Sequence, residues 1–258
     1  MKKPLIALVA VLALAGCAAQ PPAQSPLPAL SQTADALSGT ITVFAAASLT
    51  ESFQEIADQF EAAHPGVTVT LNFGGSSGLA AQIVEAAPAD VFAAASPATM
   101  KTVTDAGLTD GEPVDFATNL LEIAVASGNP GQITGLDDFA NAGKTIALCA
   151  VEVPCGAASA KLFEAAGITP SVDTYEQDVK AVLTKVELGE VDAGLVYVTA
   201  VHAAGDAVEG IQVDTAPVSY PIAALKTSAN TGAAAEFIAF VLSHTGQGIL
   251  GAAGFGAP

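Results

Sequence analysis

The chain has 258 residues, with 26 Asp and Glu against only 8 cations, all of them Lys, and a formal charge of −18. That balance excludes nucleic acid and anionic lipid surfaces as partners, because phosphate binding runs on counterion release by Lys and Arg. A hydrophobic fraction of 51% with 13% charged residues describes an ample core under a sparsely charged surface, not a disordered acidic tail, in one large domain or two small ones.

Residues 1–17 read as a targeting segment. Lys2 and Lys3 form a basic start, and Leu5 to Leu14 form an apolar run too short for a membrane span, which takes roughly 20 residues. The run ends in Leu14-Ala15-Gly16-Cys17, which resembles a bacterial lipobox. The resemblance implies that residues 1–16 are a lipoprotein signal peptide and that Cys17 becomes the lipidated first residue. A plain small-residue cleavage site beside an incidental Cys is the alternative. Residues 17–38 are rich in Pro, Gln and Ala, with Gln20-Pro21-Pro22, Ser25-Pro26 and Pro28, and read as a tether. Removal of residues 1–16 leaves six Lys against 26 acidic residues, a charge of −20.

With Cys17 committed to lipid, Cys149 and Cys155 remain, and in an exported chain a disulfide is the default reading. A metal pair is the sharper alternative. His64, His202 and His244 are dispersed, however, and no CxxC or HxxxH spacing occurs, so no cation site is expected.

From Thr40 onward strand-like and helix-like segments alternate. Ile41–Ala45 reads as a strand, and Thr50–Ala63 as a helix with Phe53, Ile56, Ala57 and Phe60 at helical spacing, stopped by His64-Pro65-Gly66. Val67–Phe73 follows as a strand, and Gly74-Gly75-Ser76-Ser77-Gly78 opens a helix carrying Leu79, Ile83 and Val84. Pro88–Phe92 reads as a third strand, and Pro97 suits the first turn of a third helix. This βαβαβ order predicts an α/β fold with a mainly parallel sheet. Leu120–Ala126 is an apolar strand ending in turn residues Ser127–Gly131. A second set comprises strand Thr145–Cys149, helix Gly156–Ala166, a helix from about Asp178 to Leu188, and strands Ala193–Val198 and Ile211–Val213. Tyr220–Leu225 reads as a strand returning to the first unit, and Ala233–Leu242 as a helix. Two lobes with a cleft are expected.

Four segments share one design, a strand end followed by a small or Ser-bearing turn and a helix start: Ala45–Ser48, Gly74–Ser77, Val153–Gly156 and Gln177–Val179. Helix N-termini expose unpaired N–H groups and roughly half a positive charge each, which makes them anion sites. Converging on one cleft, four of them suit a dianion. Taken singly, each Ser near a helix start reads as an N-cap. Tyr197, at the end of an apolar strand, reads as a core residue with its hydroxyl bonded to backbone. Asp90 reads as a turn or helix-capping residue.

Val43-Phe44-Ala45-Ala46-Ala47-Ser48-Leu49, Ser76 to Ile83, Pro88-Ala89-Asp90-Val91-Phe92 and Gly194-Leu195-Val196-Tyr197 together resemble the signature stretches of periplasmic molybdate-binding proteins, from about Gly39 to the C-terminus. The resemblance implies the type II periplasmic-binding-protein fold, with lobe I formed by residues 39–118 and a return segment 219–258, and lobe II by residues 119–218. It implies no catalysis, no cofactor, and molybdate or tungstate as ligand. The implied ligand groups are Ser48 and Ser76 through hydroxyl and backbone N–H, the backbone N–H of Cys155 and Val179, and the Tyr197 phenol. Cys155 stands where many relatives have Ala; the contact runs through the main chain. Further implications are an ABC permease in the cytoplasmic membrane as partner, a lipid-anchored extracytoplasmic location and a monomeric state.

Molybdate is a full dianion at neutral pH and only accepts hydrogen bonds, so a donor-only site suits it, whereas phosphate commonly keeps a proton and profits from an acceptor. Sulfate is also an acceptor-only ligand and is the alternative within the fold. Amino acids lack the Arg clamp they favour. A serine hydrolase is a rival: Gly74 to Gly78 fits G-x-S-x-G, with Asp214 and His244 following in hydrolase order, but an HGGG-type stretch is missing and His244 sits in a polar Ser-His-Thr-Gly turn. A lipoprotein with a structural role only is the third class.

Overall fold

The computed structural model describes residues 37–258; the signal segment, Cys17 and the tether through residue 36 lie outside the described residues. The chain opens with β1 (Gly39–Ala46), a 3-10 turn (Ala47–Leu49) and α1 (Thr50–Ala63). In α1 the buried Phe53, Ile56, Ala57 and Phe60 form one face, while Glu51, Glu55 and Asp58 lie exposed on the other. β2 (Val67–Gly74), α2 (Ser76–Val84), β3 (Val91–Ala93) and α3 (Pro97–Asp105) follow. The Ser96 Oγ accepts the Thr99 N–H and Pro97 occupies the first turn of α3, a paired start signal. β4 (Thr109–Asn119) leads through one residue to β5 (Leu121–Ala126). Then come β6 (Ile146–Cys149), α4 (Pro154–Ala166), β7 (Thr174–Glu176), α5 (Val179–Glu187), β8 (Ala193–Tyr197), α6 (Val198–Ala204) and β9 (Val208–Gln212). β10 (Val218–Leu225), α7 (Thr231–Leu242) and α8 (His244–Ala252) complete the chain.

The strands form two five-stranded sheets, ordered β2-β1-β3-β10-β4 and β7-β6-β8-β5-β9. Both are mixed, where a mainly parallel sheet is expected from the βαβαβ order. In the first sheet β1 pairs parallel with β2 and β3, and β10 pairs antiparallel with β3 and β4. In the second, β6 pairs parallel with β7 and β8, and β5 pairs antiparallel with β8 and β9. The chain crosses between sheets at the end where β1, β3, β6 and β8 finish. β5 and β10 therefore start at that end and run against the strands that stop there.

Sequence periodicity misses β4, β7, α6 and α8, and places β9 three residues late at its start. β4 carries Gly111 and Pro113 among Asp110, Glu112 and Asp115, a composition that suits an edge strand, and its one strand neighbour is β10, with a single bridge from Thr118 to Gly256 besides. The Ser-His-Thr-Gly stretch is a helix start, not a turn: Ser243 Oγ accepts the Gly246 N–H at the head of α8. Asp90 caps no helix; its Oδ2 accepts the Thr42 N–H and its Oδ1 the Ser228 hydroxyl, tying β1 to the turn after β10.

One apolar core, with Phe53, Phe60, Phe116 and Phe237, packs α1, α7 and α8 on the first sheet. A second, with Leu79, Phe92 and Met100, packs α2 and α3 on its other face. A third surrounds the second sheet, with Phe139, Leu195 and Val196. Pro221 lies inside β10 at a register shift between Tyr220 and Pro221. A residue without an N–H interrupts the ladder there, next to the buried Tyr220.

Candidate functional site

Where the strands of both sheets end, they enclose a cavity of about 20 Å³ lined by residues 46–48, 74–76, 153–155 and 178–179, with Ala95 and Tyr197. All four strand-turn-helix segments singled out in the sequence meet here, and so do all five predicted ligand residues, Ser48, Ser76, Cys155, Val179 and Tyr197. The space is little more than one water requires. It suits a compact ion of a few atoms. A larger cavity of about 700 Å³ beside α3, α4 and residues 214–219 holds none of the five.

Each helix offers donors for a local reason. Gly75 is the N-cap of α2, so the first-turn N–H groups from Ser76 onward have no acceptor within the helix. Pro154 opens α4 without an N–H, which makes Cys155 the first donor of that turn. Asp178 caps α5 by accepting the Ala181 N–H at 3.0 Å, and the helix itself provides no acceptor for Val179 N–H. The one carboxylate at the cavity wall is thus engaged in holding a helix start.

The serines are not N-caps, which overturns the single-segment reading. Ser76 Oγ accepts the Ala95 N–H at 3.0 Å, so its own proton remains to be donated. Ser48 Oγ pairs with the Tyr220 hydroxyl at 2.9 Å. Both serines are buried, at 7% and 2% exposure for Ser48 and Ser76.

Tyr197 is 1% exposed, and its hydroxyl is the one buried side-chain polar atom among the described residues without a hydrogen-bond partner. The expected bond to backbone is absent. Burial, with the Tyr220 hydroxyl beside it, holds the Tyr197 phenol well above its ordinary range. Burial also pushes Tyr220 up to about 12, against the lowering effect of the neighbouring Ser48, Asn119 and Tyr197 side chains. Both stay neutral donors at physiological pH. A folded-state value above the unfolded one means that stability is complete below pH 10 and falls as pH rises from about 10 through 12, by about 1.4 kcal/mol per unit for each phenol. Urea denaturation across that range is expected to show this decline; a flat profile would contradict the burial of the two phenols.

The two halves of the cavity wall touch directly. Ser77 Oγ donates to Glu152 O at 2.6 Å, and Lys180 of α5 pairs with Glu51 of α1. A Cβ on Gly75 would stand 2.2 Å from Gln177 O, so only glycine admits this approach.

A Cys149–Cys155 disulfide joins the end of β6 to the first turn of α4 and staples one wall of the cavity. Closing so short a loop is worth about 2 kcal/mol. Reduction is expected to lower the melting temperature by about 5 °C, as calorimetry with and without reductant would show.

The hydrolase reading fails on geometry. Neither Asp214 nor His244 lines the cavity at Ser76, and the Ser76 oxygen faces a backbone N–H instead of a base. Among the described residues no group of three or more His, Cys, Asp and Glu is arranged to hold a cation. Sequence reasoning missed Asn119 and Tyr220, which stand behind Ser48; the only signal was a polar residue at the edge of each apolar run, 120–126 and 220–225.

Residues 41–256 match the bacterial extracellular solute-binding protein family, and residues 1–18, which include Cys17, match a prokaryotic membrane lipoprotein lipid attachment site. The chain is 40% identical over 257 residues to the molybdate-binding protein ModA of Mycobacterium tuberculosis, covering 98% of this chain and 97% of that protein. The periplasmic molybdate-binding protein of Azotobacter vinelandii has the same fold, with a TM-score of 0.76 at 21% identity over 84% of this chain and 99% of that one. So does the sulfate-binding protein SubI of Mycobacterium tuberculosis, with a TM-score of 0.74 at 20% identity over 84% and 86%. Two α/β lobes around a donor-lined cleft and this degree of identity lead to one conclusion: the chain belongs to the bacterial extracellular solute-binding protein family, among its molybdate-binding proteins, and binds a solute instead of catalysing a reaction.

Proposed function

We propose that this protein captures molybdate, and tungstate with it, between two lobes and delivers it to an ABC permease in the cytoplasmic membrane. Lobe I is residues 39–118 with 219–258, and lobe II is residues 119–218. The protein acts as a monomer held by lipid on Cys17 at the extracytoplasmic face. Ser48 and Ser76 of lobe I and the Cys155 N–H, Val179 N–H and Tyr197 phenol of lobe II are its ligand groups.

The observation that carries this reading is the Tyr197 hydroxyl, fully buried, neutral and unpartnered in the wall of a cavity sized for one small ion. A buried donor without an acceptor costs about 1–3 kcal/mol, and an oxyanion removes that cost. The other groups are donors as well, which suits a ligand that carries no proton. Capture proceeds by binding to one lobe, hinge closure and docking of the closed form, so the ligand selects closure by its contacts to both lobes.

Calorimetry of the domain from Ser38 onward with molybdate, tungstate, sulfate and phosphate tests the proposal. Tight binding of molybdate and tungstate is expected, with sulfate weaker because its oxygens lie closer to the central atom, and phosphate weakest. Equal weak heats for all four would overturn it.

A further inference from the structure

Behind Ser48, one step removed from the cavity, lies a buried polar chain that the ligand set does not include. It runs through Asn119 at the end of β4, Thr199 in α6 and Tyr220 in β10, with exposures of 3%, 5% and 0%. The Leu120 N–H donates to Asn119 Oδ1 at 3.0 Å, which fixes the orientation of the amide. Its Nδ2 then donates to Thr199 Oγ1 at 2.8 Å and to the Tyr220 hydroxyl oxygen at 3.4 Å. With its oxygen occupied by that donor, Tyr220 has one proton to place, and Ser48 Oγ lies 2.9 Å away. In the reverse direction, Ser48 donating to Tyr220, the Tyr220 proton would have only the Tyr197 hydroxyl beside it, which is not placed in hydrogen-bond geometry, and buried polar groups avoid such an arrangement. The polarity of the chain therefore runs from Asn119 to Tyr220 to Ser48, and the Ser48 proton is left for the cavity.

We propose that Tyr220, oriented by Asn119, is a positioning residue that locks the Ser48 hydroxyl as a donor, so that the site selects a fully deprotonated oxyanion over one that carries a proton. The inference rests on the reading of the cavity as an oxyanion site. Hydrogen phosphate presents a P–OH group that needs an acceptor. Ser48 keeps one proton and one lone pair beside the lone pair that Tyr220 fills; accepting a P–OH proton would turn the Ser48 proton away from the anion, so hydrogen phosphate forfeits that donor. Ser76 is held in the same sense by the Ala95 N–H, which cannot reverse. The Asn119–Tyr220 pair is thus the part of the wall whose polarity a side-chain change can invert. Through Thr199 the polar chain also reaches the second sheet, since β4 and β10 belong to the first and α6 follows β8 of the second.

The test is calorimetry on the full-length, detergent-solubilised protein near pH 8, where molybdate and hydrogen phosphate both carry two negative charges. Hydrogen phosphate is measured by its competition with molybdate. Tyr220→Phe removes the hydroxyl and keeps the ring; a roughly tenfold loss of molybdate affinity is expected, with a narrower molybdate-to-phosphate ratio. Asn119→Asp accepts the Tyr220 proton and inverts the chain, so Ser48 turns its lone pair to the cavity. Its ratio is expected to fall at least tenfold, and because both ligands are dianions the added charge cancels in that ratio. Variants that lose both ligands in equal proportion, or keep the parental ratio, would overturn the proposal in favour of a purely structural role. A parent protein that binds neither ion would overturn the oxyanion reading itself, and this inference with it.

Discussion

Gly75→Ala is expected to fold as the parent does and to bind its oxyanion about a hundredfold more weakly. Gly75 has φ −59° and ψ 125°, values that alanine adopts without strain. The substitution is therefore neutral or mildly stabilising for the chain itself, through the unfolded state. The added Cβ would meet the Gln177 carbonyl oxygen at 2.2 Å, more than an ångström inside contact distance. That oxygen belongs to the backbone leading into α5, so no side-chain rotation relieves the clash. The two walls must part, and the ligand keeps the donors of one wall and loses those of the other. Two charge-assisted hydrogen bonds at about 1.5–3 kcal/mol each make a loss of about 3 kcal/mol a conservative figure, or roughly a hundredfold in affinity. Calorimetry gives the affinity, and thermal denaturation with and without molybdate gives the second readout. The unliganded melting temperature should stay at the parental value while the ligand-induced rise shrinks. Parental affinity in this variant would show that the close approach of Gly75 to Gln177 is no part of the bound state.

Removing a serine hydroxyl attacks the same site from its other side. Ser76→Ala and Ser48→Ala are each expected to weaken binding about tenfold to a hundredfold, the worth of one hydrogen bond to a charged acceptor, about 1.5–3 kcal/mol. The two differ in what they leave behind. Ser76→Ala leaves the Ala95 N–H without its acceptor, whereas Ser48→Ala takes away the partner of the buried Tyr220 hydroxyl. Both variants should therefore lose some stability without ligand as well, about 1–3 kcal/mol for a buried unpaired donor. Reading affinity and unliganded stability together separates the two contributions. Unchanged binding in both variants would remove the serines from the site.

A domain near −20 that holds a dianion poses an apparent conflict, and the cavity resolves it. Exposed acids more than about 8 Å from the ligand are screened at physiological salt. On the proposed reading of the cavity, the ligand meets at short range a set of N–H and O–H dipoles fixed by the fold, including the helix N-termini of α2, α4 and α5. Such dipoles need no arginine.

The strand and helix segments of residues 39–105 were legible from sequence because each depends on neighbours a few residues away. Apolar residues at helical spacing, a Ser-Pro start and a Gly-rich turn are local signals. The five candidate ligand residues stand within recognisable stretches, and all five line one cavity. Less legible were β4, concealed by Gly111, Pro113 and its acids until β10 covers its one paired side, and α8, whose N-cap reads as a turn. The mixed order of the sheets escaped for a topological reason: strand direction follows from which end of a sheet the chain enters, and nothing in β5 or β10 themselves records it.

Residue order alone carries an acidic, arginine-free composition, an N-terminal segment that matches a lipoprotein lipid attachment site, helix starts rich in small residues and serine, and the candidate ligand residues. Only the tertiary structure decided that these starts meet, that Gly75 must be bare, and that Ser48 is backed by Tyr220 and Asn119. The reason is range. Propensity and capping act within one or two turns of helix, whereas convergence joins residues 48 and 220, or 75 and 177, through two chain crossings that no local pattern encodes.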